Sequence, residues 1–164
     1  MDLYPWVVLV HVVAAFAFAI AHGVSAFVSF RLRVEREPGR VRALLELSGS
    51  ALGMMYGSVL VLLAAGIAAG IAHGWFGRLW IWAALATFVV VAVLMYGLAS
   101  RYYARVREAV GIRSISTPRS APDPTPVSAA ELAALLDSRR PDLVATVGFA
   151  GLLIIVWLMV LKPF

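Results

Sequence analysis

The sequence predicts an all-α membrane protein: a four-transmembrane-helix antiparallel bundle with a short amphipathic interfacial helix before the last span. Three observations predict it. The chain is 62% hydrophobic, well above the roughly 45–50% of a soluble domain. Four apolar runs reach the about 20 residues needed to cross a bilayer core. The arginines gather at the ends of those runs, as topology signals do.

The first span is read over Pro5–Phe30. Proline suits a helix's first turn, where its missing N–H removes no bond. The start, Met1–Asp2–Leu3–Tyr4–Pro5, has no basic stretch, and the run outlasts a signal-peptide core, so it reads as a retained span. The second and third spans, Ser50–His73 and Leu79–Ser100, are separated only by Gly74–Arg78, which predicts an antiparallel hairpin. The fourth is Asp142–Leu161, opened by Pro141. Tyr4 and Trp6, Trp75, Trp80 and Trp82, and Tyr102 and Tyr103 are placed as interfacial belts.

The connections are residues 31–49 and 101–141. Residues 101–113 are expected to continue the third span, and the Ser/Pro-rich 114–127 to be extended or mobile. Ser128-Ala-Ala-Glu131 reads as a capping box, serine and glutamate each satisfying the other's backbone amide. Leu132, Leu135 and Leu136 then share a helix face, which fits either a helix on the inner leaflet or a solvated loop helix.

Orientation follows from arginine placement. The first connection holds Arg31, Arg33, Arg36, Arg40 and Arg42, and the third holds Arg101, Arg105, Arg107, Arg113, Arg119, Arg139 and Arg140. The outer segments hold only Arg78 and Lys162. The positive-inside rule puts these two connections in the cytoplasm and both termini outside. The same arrangement accounts for the net charge of +5 without nucleic acid as a partner; the bilayer itself is the first partner. With no cysteine, a disulfide or thiolate site is excluded. No phosphate-binding loop, dinucleotide fingerprint, zinc-protease motif or nucleophile elbow occurs.

Chemistry within the spans is confined to histidine. His11 and His22 lie eleven residues apart in the first span. That is close to three turns, so they share a side, about 16 Å apart along the axis. They cannot hold one ion or one haem together. Ser25 and Ser29 extend the stripe, which should face protein rather than lipid. In one reading each histidine hydrogen-bonds a neighbouring helix. In another an imidazole ligates haem or a metal, with haem b as the cofactor. No other span has a histidine inside it; His73 lies at the outer end of the second, leaving Met54, Met55 and Met95 as soft ligands for His22. A homodimer could also pair His11 with its copy. A proton relay lacks any Asp, Glu or Lys inside the spans to continue it.

Span two carries Gly53-x-x-x-Gly57 and Gly66-x-x-x-Gly70, pairs that admit a close neighbour. Nine residues separate Gly57 from Gly66, half a turn out of phase. Span two should therefore pack on two sides, either between two neighbours or with one face inside and one at an oligomer contact. Gly148 and Gly151 give span four a smaller patch. Ile20–Gly23 recurs as Ile71–Gly74, but at opposite depths, so the copies share no role.

His11 early in an apolar first span, a glycine and a serine beyond its middle, then Arg31-Leu32-Arg33-Val34-x-x-Glu37, resembles small four-span bacterial inner-membrane proteins. These are grouped loosely with copper-resistance protein D and the membrane-bound b-haem protoporphyrinogen oxidase. The resemblance covers about a quarter of the chain and implies a haem-ligating histidine at His11. Spans two to four depart from that pattern by offering no deep second histidine.

Two function classes follow. One is a non-catalytic accessory or structural subunit, packing as a homodimer, a higher oligomer or part of a larger membrane complex. The other is a haem- or metal-binding redox protein using His11 or His22. The scarcity of polar groups in the spans favours the first, and the resemblance favours the second.

Overall fold

A computed structural model describes residues 3–114, 117–118 and 120–164, so Met1, Asp2 and Arg119 of the reading above lie outside the described residues. The structure is all-helical: α1 (Tyr4–Val34), α2 (Pro38–Ala72), a 3-10 turn (Trp75–Gly77), α3 (Leu79–Ala109), α4 (Ala129–Leu136) and α5 (Arg140–Leu161). Helices α1, α2, α3 and the stretch Ala129–Leu161, which contains α5, are long and apolar enough to cross a membrane.

The helices outrun their apolar runs. α3, at 31 residues, rises about 46 Å, against a hydrocarbon core of about 30 Å. The first connection is correspondingly Glu35–Glu37, not the loop expected over residues 31–49. Local chemistry explains the early restart. Pro38 occupies the first turn of α2, and the Glu37 carboxylate caps it, accepting from the amides of Gly39 at 2.9 Å and Arg40 at 2.8 Å. Arg42 and Glu46, one turn apart, then pair at 3.0 Å on the helix surface. The Glu35 carboxylate accepts from the amides of Glu37 and Arg36, which hold its pKa below the usual range.

α1 pairs with α2 and α3 with α5. At one end, named outer after the orientation the arginines predict, with the opposite end named inner, Tyr4 stacks on His73, ring centres 3.7 Å apart. At the inner end Leu32 of α1 lies with Val41 and Leu45 of α2. Along the second pair, Trp80 packs with Leu158, Val91 meets Gly151, and Met95 meets Gly148. α2 and α3, adjacent in sequence, share little of their length. Their meeting point is at the inner end, where Arg107 Nη2 donates to the Leu45 carbonyl at 3.0 Å and the guanidinium rests against Gly49. At the outer end the turn itself intervenes. Gly74, in the left-handed region at φ 65°, reverses the chain, and Phe76 folds back onto Gly70.

The largest buried cluster lies at the inner end, not in the spans. Val28, Leu32, Val41, Leu45, Val106 and Leu136 form its centre. The capping box of α4 is present: Ser128 Oγ accepts from the Glu131 amide at 3.3 Å, and Glu131 accepts from the Ser128 amide at 3.1 Å. The apolar face it presents is taken up by protein, because Leu132 and Leu136 are buried in this same cluster. Along the spans, Leu60, Val93 and Leu153 stand outward.

Two belt assignments change. Trp80 is buried against Ile81, Ala84 and Leu158. Tyr102 is buried with Val28 and Leu32, because α3 continues past its apolar run and these helices still pack there. The outer aromatics do gather: Trp75 lies edge-on to Tyr4, His73 and Trp80, with Lys162 Nζ 4.1 Å from its ring centre.

Candidate functional site

Three positions of the polar stripe of α1 each meet a different helix: His11 meets α2, His22 α5 and Ser29 α3. His11, nearest the Tyr4 end of α1, lies on α2. Its Nδ1 is 2.8 Å from the Leu62 carbonyl oxygen. A carbonyl only accepts, so Nδ1 carries the hydrogen of this bond, and the tautomer it selects has its lone pair on Nε2. The ring fits because position 66 is glycine: a Cβ there would sit 3.0 Å from His11 Cε1 and 3.1 Å from Nδ1. The Gly66 motif is therefore used inside the chain, to admit a histidine rather than a bare helix.

His22 lies on α5. It is 5% exposed, between Phe18, whose ring is nearly parallel to it with centres 5.7 Å apart, and Phe149, edge-on at 5.6 Å. Gly148 again makes the room. A Cβ on it would fall 2.6 Å from His22 Nε2 and 3.4 Å from Met95 Cε. His22 Nε2 is buried without a hydrogen-bond partner.

Further inward the stripe meets α3. Ser29 Oγ donates to the Ser25 carbonyl at 2.8 Å. Its one hydrogen is thus spent, so Tyr103 donates to Ser29 Oγ. Arg33, one turn on, pairs with Asp142 at the start of α5. Ser25 Oγ and Tyr102 Oη join His22 Nε2 as buried polar atoms lacking a partner among the described residues.

The methionines divide. Met95 converges with His22 on Gly148. Met54 instead lines a shallow apolar groove with Leu9, Val13 and Gly57 on the outward side of the α1–α2 seam. Met55, half-buried beside it, accepts from Ser58 Oγ at 3.0 Å through its carbonyl. His73, in the outer aromatic cluster with Tyr4 and Trp75, is not brought to His11.

These contacts test the fit of haem. An axial imidazole needs a porphyrin plane beyond its free nitrogen. At His22 the backbone of α5 occupies that side, so a haem does not fit there. At His11 the arrangement suits one ligand, since an Nδ1–H held by a backbone carbonyl is the usual outer-shell support of a metal-bound histidine. Among the described residues no three His, Cys, Asp or Glu side chains gather to hold an ion. The sequence missed Gly148 as the partner of His22 and Tyr103 as the partner of Ser29. Gly148-x-x-Gly151 was the one signal for the former.

The His11 contact carries a testable energy. His11→Ala is expected to destabilise the protein by about 0.6–1.7 kcal/mol, the range of interhelical hydrogen bonds in membranes. Thermal unfolding in detergent reads this. An unchanged melting temperature would mean the Leu62 carbonyl bond contributes nothing.

Comparison with known protein families, curated proteins and solved structures finds no match for this chain.

Proposed function

We propose that this protein is a non-catalytic structural subunit of the bacterial inner membrane, a four-span antiparallel bundle with both termini outside, which assembles in the bilayer with a second copy of itself. One observation carries the reading: α2 turns Gly53 and Gly57 outward, with nothing within 4 Å of where their side chains would begin, while Gly66 and Gly70 are covered by His11 and Phe76. The half-turn phase shift thus uses one small face within the chain and leaves the other for a partner. The outward face borders the uncharged Met54–Gly57 groove, about 520 Å³ in volume. A copy related by a two-fold axis presents the same bare backbone and the same flanking ridge of Met54 and Leu60. In lipid such close backbone approach, rather than hydrophobic burial, drives association.

The absence of cysteine makes the test direct. Gly57→Cys in native membranes should form a disulfide-linked dimer on oxidation. Leu153→Cys, on the outward side of α5, should not. A Gly57→Cys variant that stays monomeric, or that links only to a different protein, would overturn self-assembly. For orientation, a reporter fused after Phe164 should be active outside.

A second reading rests on His11. Its Nδ1–H is committed to Leu62, which presents Nε2 as a ligand, in keeping with the resemblance to b-haem proteins. A Soret band in detergent-purified protein, lost in His11→Ala, would support it. A colourless, copper-free preparation from haem-replete cells would exclude it.

A further inference from the structure

Charge at the inner end of the molecule is unevenly matched. All eight carboxylates among the described residues are engaged. Asp142 pairs with Arg33, Asp137 with Arg36, Glu46 with Arg42 and Asp123 with Arg113. Glu35 and Glu37 are held by backbone amides, Glu108 by Ser114 and Thr117, and Glu131 by the capping box. Six guanidiniums at this end have no carboxylate within ion-pair distance among the described residues: Arg31, exposed on α1, Arg107, which donates to the Leu45 carbonyl, and four more. Those four, Arg101 and Arg105 on α3 and Arg139 and Arg140 at the start of α5, are exposed.

The packing of α3 on α5 sets these four at one level. Met95 and Gly148 mark a point where the helices touch. Seven residues inward from it, about 10 Å, lie Tyr102 on α3 and Pro141 on α5, so Arg101 and Arg105 bracket the depth of Arg139 and Arg140. Arg101 follows the start of α3 by about 33 Å, which places it at the far surface of a hydrocarbon core of about 30 Å. Leu94, two turns before Arg101 on the same side of α3, stands outward, as does Leu143, one turn after Arg139 and Arg140. Each lipid-facing strip therefore ends in guanidiniums at the height of the lipid phosphates. A guanidinium offers a planar fork of donors that matches phosphate oxygens two at a time.

We propose that Arg101, Arg105, Arg139 and Arg140 form a binding site for the phosphodiester headgroup of an anionic phospholipid, at the inner end of the α3–α5 pair. The lipid phosphodiester supplies the negative charge that the protein's own carboxylates do not. The site rests on residence in a bilayer and is independent of self-assembly through α2. Counting arginines sets orientation during insertion, whereas a headgroup site acts on the folded protein and has its own readout.

The full chain in a neutral detergent is titrated with phosphatidylglycerol or with phosphatidylcholine, following the melting temperature and, by native mass spectrometry, the lipids retained. Phosphatidylglycerol should raise the melting temperature and stay bound, and phosphatidylcholine should do neither. The pair variants R101Q/R105Q and R139Q/R140Q should each weaken the phosphatidylglycerol response, by about fivefold per arginine removed. R78Q, at the opposite end, should respond as the native chain does. The two pairs are independent, so one that fails to fold leaves the other to decide. Equal stabilisation by phosphatidylcholine, or a native response in a folded pair variant, would overturn the site. Equal stabilisation by inorganic phosphate would also overturn it, as a site for free anions.

Discussion

Gly151→Ala is expected to unseat α5 from α3. A Cβ at position 151 would lie 3.0 Å from Val91 Cγ1 and 3.2 Å from Val91 Cβ, with Cγ2 closer still. Valine in a helix is confined almost wholly to one rotamer, so it cannot swing away. The helices must separate instead, and overpacking of this kind costs about 1–3 kcal/mol. Separation matters more here than in a soluble core, because close contact is most of what holds helices together in lipid. The check is a double-mutant cycle on thermal unfolding. Val91→Ala opens the space that Gly151→Ala fills, so the double variant should be more stable than the two single effects predict, with a coupling of about 0.5–3 kcal/mol. Strict additivity would mean that Val91 and Gly151 do not touch.

The second large effect lies outside the spans. Leu136→Asp should detach α4 and open the inner cluster. Leu136 has no exposed surface and packs among Leu32, Leu45 and Val106. A carboxylate there would be buried without a partner, which folding avoids by expelling it. Even Leu136→Ala should cost about 2–5 kcal/mol through the cavity it leaves. Leu153→Ala, 70% exposed on the outward side of α5, should change stability little. Limited proteolysis of the segment between α3 and α5 is the readout, compared in detergent and in vesicles. Cleavage that rises equally in both follows from packing against protein. Cleavage that rises only in vesicles would assign the leucine face of α4 to the lipid surface.

Much of this architecture was legible in the chain. Four apolar runs long enough to cross a bilayer became four long helices, because in lipid a backbone can satisfy itself only within a helix or a closed barrel. Ser128 and Glu131 announced the start of α4, since a capping box is closed by residues three apart. The stripe of His11, His22, Ser25 and Ser29 was readable as one side of a helix by the same local periodicity.

Its partners were not readable. His11 and His22 share a side of α1, yet one hydrogen-bonds the Leu62 carbonyl of α2 and the other rests on Gly148 of α5. Which glycine faces which ring depends on the lateral order of the helices, and apolar helices of similar composition carry no local mark of that order. The short turn at Gly74–Arg78 pointed to a close α2–α3 pair, whereas the contacts favour α1 with α2 and α3 with α5. Composition and periodicity thus fixed the helices, their polar sides and the places where charge collects. Packing alone settled that Gly66 and Gly148 admit imidazoles and that Gly53 and Gly57 stay bare. The reason is physical: helix formation and hydropathy act within a few residues along the chain, while close contact between helices is a property of two surfaces at once.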